Sequence, residues 1–328
     1  MKAFEYVGAT SVDQAVKALT AGAAPLSGGT DLINRMKDYV TSPERVVYLN
    51  DVKELAGISG DAASGVTILA GTRLADILAS ETVKAAYPAL WQTTGEVATP
   101  QIRNMATLGG NLMQHPRCWY YRSGFGLVPK SGDGKNMLRE GDNRYAAIFM
   151  TDGDALYAHP SSLAIPLIAL GAKATLVGPE GERTVAVEDL YKVPTSNSDS
   201  PFTAKAGELL KSVTIPAASG KNASYEARHK QAHDWPLVLA SVSLTFSGET
   251  VSDARVVVYG VAPVPWRSKA AEEAIKQKVI TVESARAAGD AAAAGAKPLS
   301  MNGYKVSMLK TVVTRALCTA VGKKYWEA

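Results

Sequence analysis

Two Gly-Gly doublets, each set between an apolar run and a helical pattern, constrain this chain more than any other feature. The first lies in "PLSGGTDLINRMK", residues 25–37, and the second in "ATLGGNLMQ", residues 106–114. Chance alone predicts about two doublets at this glycine content, so context carries the argument and the count does not. Glycine lets a backbone approach a ligand closely because no Cβ stands in the way. Placed before a helix, such a turn also presents free N–H groups to an anion such as a phosphate. The two turns are therefore either unrelated, or they meet in space around one ligand.

The remaining composition narrows the setting. A chain of 328 residues exceeds what one core usually supports, so two or three domains are expected. Hydrophobic residues make up 46% and charged residues 20%, enough for a substantial core. The net charge of +4 is spread along the chain without a basic run, which argues against a nucleic-acid partner. No segment approaches about eighteen consecutive apolar residues, and the first residues lack a basic-then-apolar leader pattern. The chain is thus expected to carry no membrane span or export signal of its own. That makes it cytoplasmic by its own sequence, or periplasmic if exported with a partner subunit.

Other motifs exclude chemistry. Cys118 and Cys318 form no CxxC and lie too far apart in sequence for a ligand set. His229 and His233 in "HKQAH" have the spacing of metal ligands on a helix, but Lys230 stands where a zinc hydrolase needs glutamate. No GxGxxG fingerprint or GxxxxGK[ST] phosphate loop is present; "KSGDGKN" lacks the first glycine and the final hydroxyl.

Along the chain, "SVDQAVKALTAG" reads as a helix capped by Ser11 and stopped at Gly22. "APLSGG" and "RVVYLN" read as strands flanking the helix "DLINRMKDYV", a small α/β unit. "GVTILAGTRLADIL" repeats the order of strand, Gly turn and helix, the helix running to about Ser80, and a further helix covers 87–97. From 113 to 147 the sequence turns aromatic, basic and Gly-rich, an insertion too long for an idle loop. A helix, strand, turn and strand follow in "SSLAIPLIALGAKATLVGPEGERTVAVEDL". The Ser/Gly/Asn-rich "AASGKNAS" marks a boundary, dividing 1–218 (subdomains about 1–56 and 57–218) from 222–328. Beyond it, two strands joined at "SGET" and three helices predict an α+β domain.

The order of motifs resembles the FAD-binding subunit of the xanthine dehydrogenase family, the molybdenum hydroxylases, over essentially the whole length. "GGTDL" with the later Lys37, "IRNMATLGGNL", "DGDALYAHPSSLAIPLIALGA", a strand ending in "IP", "HDWPLVLASVSL" and "VVYGVAPVPWRSKAAE" occur in the family's order. The resemblance implies an α+β fold: a two-lobed, PCMH-type FAD-binding α/β domain, then a C-terminal α+β domain of the CO dehydrogenase flavoprotein type. It implies FAD contacts from Ser27, Gly28, Gly29, Thr30, Asp31, Leu32 and Lys37 in the first loop. Thr107, Gly109, Gly110 and Asn111 would serve in the second, with Leu163 near adenine or the flavin. Asp31, being anionic, is expected to cap the next helix rather than touch phosphate.

Departures from the family pattern are informative. "QHPRCWYYR" and the insertion behind it resemble the periplasmic aldehyde oxidoreductase subgroup. Several members of that subgroup hold a [4Fe–4S] cluster through cysteines in and around the insertion. Only Cys118 is kept here, so no such cluster is expected on this chain. Glu226 and Lys230 replace basic residues of the family's Lys-x-Arg-x-Arg segment, and Ser162 replaces an Asp.

The implied function is an electron-transfer flavoprotein subunit. A large subunit would carry the molybdopterin cofactor and a small subunit two [2Fe–2S] clusters. FAD on this chain would collect electrons for an acceptor such as NAD, oxygen or a redox protein. The alternatives are a standalone FAD oxidase of the vanillyl-alcohol type and a scaffold subunit without FAD. Retention of both glycine loops argues against the scaffold, and the C-terminal domain argues against the oxidase. The insertion's "CWYY" is expected to be covered by the flavin or a partner, or else to fold onto this chain's own core.

Overall fold

The computed structural model describes residues 1–326 and arranges them around three sheets. The first is a parallel sheet of β1 (Glu5–Gly8), β2 (Ala23–Leu26) and β3 (Arg45–Tyr48), in the order β1-β3-β2. A parallel strand inside a sheet is buried on both faces. The central strand obeys this rule: Val46 packs with Leu32 and Met36 on one side, and Val47 with Ala15, Leu19, Val52 and Leu55 on the other. The helix Val12–Ala18 crosses between β1 and β2, its first turn closed by the Ser11 side chain accepting from the Gln14 N–H.

The second sheet contains β4 (Ile58–Asp61), β5 (Gly65–Leu69), β6 (Lys173–Gly178), β7 (Gly181–Ala186) and β8 (Leu209–Ile215), in the order β4-β5-β8-β6-β7. Every pair in it is antiparallel, unlike the first sheet, while β5 followed by a turn and the helix Leu74–Ala79 gives the expected strand–turn–helix order. β4 and β5 form a hairpin, and β8 then inserts between β5 and β6. Helices Leu74–Ala79, Pro88–Glu96 and Ala164–Ala169 cover the sheet and close a core from Val66 to Tyr259.

The C-terminal sheet runs β12-β11-β10-β9, from β9 (Lys221–Ala227), β10 (Val238–Ser247), β11 (Thr250–Tyr259) and β12 (Trp266–Arg267). Helices Lys269–Ile275, Val282–Ala293 and Tyr304–Ala320 pack against it. Small alanines at 285, 288 and 292 let Val282–Ala293 sit close to its neighbours.

β9 starts inside the polar stretch that reads as a break. Its polar residues serve the contact with the second lobe. Asn222 accepts from the Ala89 N–H at 2.9 Å and donates to the Ala86 carbonyl, while the Ser224 hydroxyl donates to the Ala89 carbonyl. An edge strand welded to a helix by hydrogen bonds needs polar side chains, and composition alone does not separate that from a linker.

The insertion is ordered against both halves. Tyr121 is buried with Leu127, Val128 and Tyr157, whereas Trp119 is 52% exposed. The aromatic stretch therefore divides between this chain's own core and its surface. The insertion's end is pinned by Lys305, whose ammonium donates to the carbonyls of Tyr145, Ala146 and Gly260.

Candidate functional site: a cleft closed by two glycine loops

The two glycine loops touch. Ser27 Oγ lies 3.1 Å from Thr107 Oγ1 and donates to Asn50 Oδ1 at 3.0 Å. With the serine proton committed to Asn50, the Thr107 hydroxyl is the donor of the pair. A Cβ on Gly28 would stand 1.9 Å from the Met105 carbonyl, so this glycine is required by loop against loop. Gly29 has φ +73°, a left-handed conformation that glycine adopts without strain.

Between and below the loops lies a cleft of about 330 Å³. Ser27, Gly28, Gly29, Thr30, Asp31 and Leu32 line it from the first loop, and Thr107, Gly109 and Gly110 from the second. Leu26, Leu49, Leu55, Leu209 and Leu210 supply an apolar wall where the two lobes face each other.

The loops contribute differently. Among the described residues, no acceptor takes the backbone N–H groups of 28–32, which leaves a run of donors for an anion. The following helix, Leu32–Lys37, is a short one, so the amides themselves rather than a helix dipole form the cradle. In the second loop the amides are already used. Leu108 donates to Thr72, Gly109 to Ala70, and Gly110 to the N-capping Thr107 hydroxyl. What this loop offers is space: a Cβ on Gly110 would meet only Thr107 Oγ1, at 3.1 Å, and no backbone. Of the four glycines in the two loops, Gly110 is thus the one that packing explains least and cleft access explains best.

Three expected residues fall outside the lining. Lys37 is exposed on the last turn of its helix, and Arg35, on the same helix, faces the cleft instead. Asn111 is buried, its Oδ1 accepting from the Ser161 hydroxyl at 2.8 Å, and so ties the second loop to residue 161. Leu163 is fully buried in the second lobe's core at the head of Ala164–Ala169. Asp31 does not cap its helix, since its side chain makes no capping hydrogen bond. Its carboxylate instead holds Arg35 at 2.9 Å and Arg122 at 2.6 Å, with Arg117 at 3.8 Å. Burial pushes the Asp31 carboxyl up, but Arg35, Arg122 and Arg117 together hold it below its ordinary range.

Beside this cluster, burial and then Arg35 push His115 down to about 3, so it is neutral; its Nδ1 is 3.0 Å from the Tyr121 hydroxyl. Arg35, His115, Arg117 and Arg122 were not among the expected site residues. The basic character of "RCWYYR" was the available signal, but its target lies far back in sequence, at Asp31.

A second cavity of about 290 Å³ separates the insertion from the C-terminal domain, between Arg117, Tyr157, Tyr145, Trp235 and Tyr259. Arg117 lies over the Trp235 ring at 4.7 Å. The Tyr157 hydroxyl and Arg117 Nε are buried there without a hydrogen-bond partner among the described residues. Cys118, on its wall, is a half-buried thiol raised by burial. His229 and His233 are not on a helix; His233 has φ +59°, and its Nδ1 lies 3.1 Å from the Ala98 carbonyl.

A flavin dinucleotide requires an anion cradle, a close backbone approach and an apolar slot, and the cleft has all three. Residues 2–218 match the family described as FAD binding domain in molybdopterin dehydrogenase, and residues 223–320 match the CO dehydrogenase flavoprotein C-terminal domain. The chain is 30% identical to the aldehyde oxidoreductase FAD-binding subunit PaoB of Escherichia coli (strain K12), over 98% of this chain and 99% of that one. It is 29% identical to the carbon monoxide dehydrogenase medium chain of Hydrogenophaga pseudoflava, over 97% and 96% of the two chains. A solved structure of carbon monoxide dehydrogenase from that organism superposes with a TM-score of 0.76 at 28% identity, covering 98% of each chain. With the cleft lying inside the first matched segment, the chain belongs to the family of FAD-binding subunits of molybdopterin dehydrogenases.

Proposed function

We propose that this chain is the FAD-binding medium subunit of a multi-subunit molybdenum hydroxylase of the aldehyde or xanthine dehydrogenase type. In this reading a large subunit carries the molybdopterin cofactor, a small subunit carries two [2Fe–2S] clusters, and an external acceptor takes the electrons. The observation that carries it is the direct contact of Ser27 with Thr107, which joins the open amides of one loop to the open space of the other. Colinearity with PaoB supports the same assignment.

Bound FAD supplies a carrier that exchanges electrons singly or in pairs. This chain's residues bind and orient it. The open amides of 28–32 would hold its phosphate oxygens, Thr30 would add a hydroxyl, and the leucine wall would exclude water from its apolar part. No nucleophile–base pair is assigned to the chain; in this reading substrate oxidation belongs to the partner subunits, and the isolated chain is expected to be inactive on substrate. Its compartment follows that of the assembled complex: cytoplasmic, or periplasmic where a partner carries the export signal.

The test is the absorbance and released-flavin analysis of the purified chain, followed by copurification with its neighbours. Stoichiometric FAD, with substrate oxidation only in the complex, is expected. A flavin-free chain that still completes an active complex overturns the assignment.

A further inference from the structure

The Asp31 cluster carries more positive charge than it neutralises. Arg35, Arg117 and Arg122 converge on one carboxylate, and none of the three has another carboxylate within salt-bridge distance among the described residues. The side chains of Asp31, Arg35 and Arg122 are 11%, 12% and 15% exposed, so water offsets little of their charge, whereas Arg117, 33% exposed, faces the second cavity. The other titratable neighbours add no countercharge: burial keeps His115 neutral, and it raises the Tyr121 and Tyr259 hydroxyls so that both stay protonated. Buried positive charge without a counter-ion is costly unless an anion arrives.

The parts of the cluster are held in sequence. Arg122 is fixed by the insertion's own root, with Nε donating to the Pro116 carbonyl at 2.8 Å and Nη2 to the His115 carbonyl at 3.0 Å. It then donates to one oxygen of Asp31. The other oxygen accepts from Arg35 Nε and from the His115 N–H. Arg35 itself lines the cleft beside the open amides of 28–32.

We propose that Arg35 is a ligand of the cofactor's diphosphate, and that Arg122, reaching in from the insertion, is the positioning residue that holds it there through Asp31. This rests on the FAD reading above. Three guanidinium groups less one carboxylate leave two positive charges, and the diphosphate of a flavin dinucleotide brings two negative ones. The insertion is then a brace for the first glycine loop and not only a covering of the surface.

The experiment measures calorimetric binding of FAD, ADP, inorganic pyrophosphate and adenosine to the flavin-stripped full chain, with a salt series for each. The parent is expected to bind FAD and ADP, with ADP affinity falling as salt rises. Arg35→Gln is expected to weaken ADP about tenfold and flatten the salt dependence, while Arg35→Lys stays within about threefold. Adenosine, lacking phosphate, is expected to respond to neither change. Pyrophosphate weakened in step with ADP locates the effect at the phosphates. Arg122→Gln is expected to weaken ADP in the parent but not further in the Arg35→Gln background, and Arg122→Lys to recover part of the loss.

Unchanged ADP affinity and salt dependence in Arg35→Gln overturn the proposal, as does an equal loss from Arg122→Gln in both backgrounds. A parent that binds neither FAD nor ADP instead defeats the underlying flavin reading. Should Arg35→Gln fail to fold, a salt-independent ADP affinity in the parent also overturns the proposal.

Discussion

The hydroxyls of Ser27 and Thr107, eighty positions apart in sequence, sit 3.1 Å from each other and join the two lobes at the mouth of one cleft. Thr107 also caps the helix that carries Gly109 and Gly110. One side chain therefore sets both the loop's conformation and its distance from the opposite loop.

The two kinds of glycine make opposite predictions. Gly110→Val is expected to fold and to lose flavin, because its side chain projects into cleft space with only Thr107 Oγ1 nearby. Gly28→Ala is expected to destabilise the chain by about 2 kcal/mol or more, because its Cβ collides with the Met105 carbonyl. Thermal melts and flavin content, measured together, separate the two. Full flavin in Gly110→Val removes that glycine from the site.

Stability is expected to fall in mild acid. Burial pushes both His115 and His159 down to about 3 from an ordinary 6.5. The unfolded chain therefore takes up protons as pH drops through 6.5, while the folded chain resists until about 3. Stability is full above the unfolded pKa and is lost across that window, by up to about 3 kcal/mol per histidine at pH 4. His159→Phe keeps the ring against Tyr191 and is expected to flatten the profile. An unchanged pH dependence in urea unfolding counts against His159 as a source.

Lys305 is expected to be a structural cation. Its ammonium meets three backbone carbonyls, although burial pulls its pKa down to about 7. Lys305→Met keeps the volume and removes the donors, with an expected cost of about 2 to 4 kcal/mol in urea unfolding. A neutral substitution denies that Lys305 pins the insertion.

Deleting residues 124–141 spares Arg122 and its anchors, so FAD is expected to remain bound. The same deletion strips Leu127, Val128 and Leu138 from the small clusters under the insertion, and impaired assembly or acceptor transfer is expected to follow. Turnover equal to the parent's, measured in the complex, assigns the segment no part in either.

The site was only partly legible in sequence because its contributions differ in range. Ser27 to Leu32 lie in one continuous turn whose glycines announce a close approach, and they line the cleft together. Lys37 belongs to the same motif, yet helical periodicity turns it to solvent and brings Arg35 round to the cleft. The meeting of Arg122 with Asp31 has no local signature, since nothing in a charge's neighbours along the chain tells which distant carboxylate it will find.

By itself the sequence determined the local conformations and the family. Strand–turn–helix units, Ser11 as a cap, and the strands of the C-terminal sheet follow from residue periodicity and capping chemistry, whereas the cap at Thr107 in place of one at Asp31 came only with the structure. Only the tertiary structure decided that β8 inserts between β5 and β6, that β9 is bonded to the helix Pro88–Glu96, and that three arginines share Asp31. Those contacts are long-range, and their free energy comes from burial and desolvation that exist only once the lobes have closed on one another.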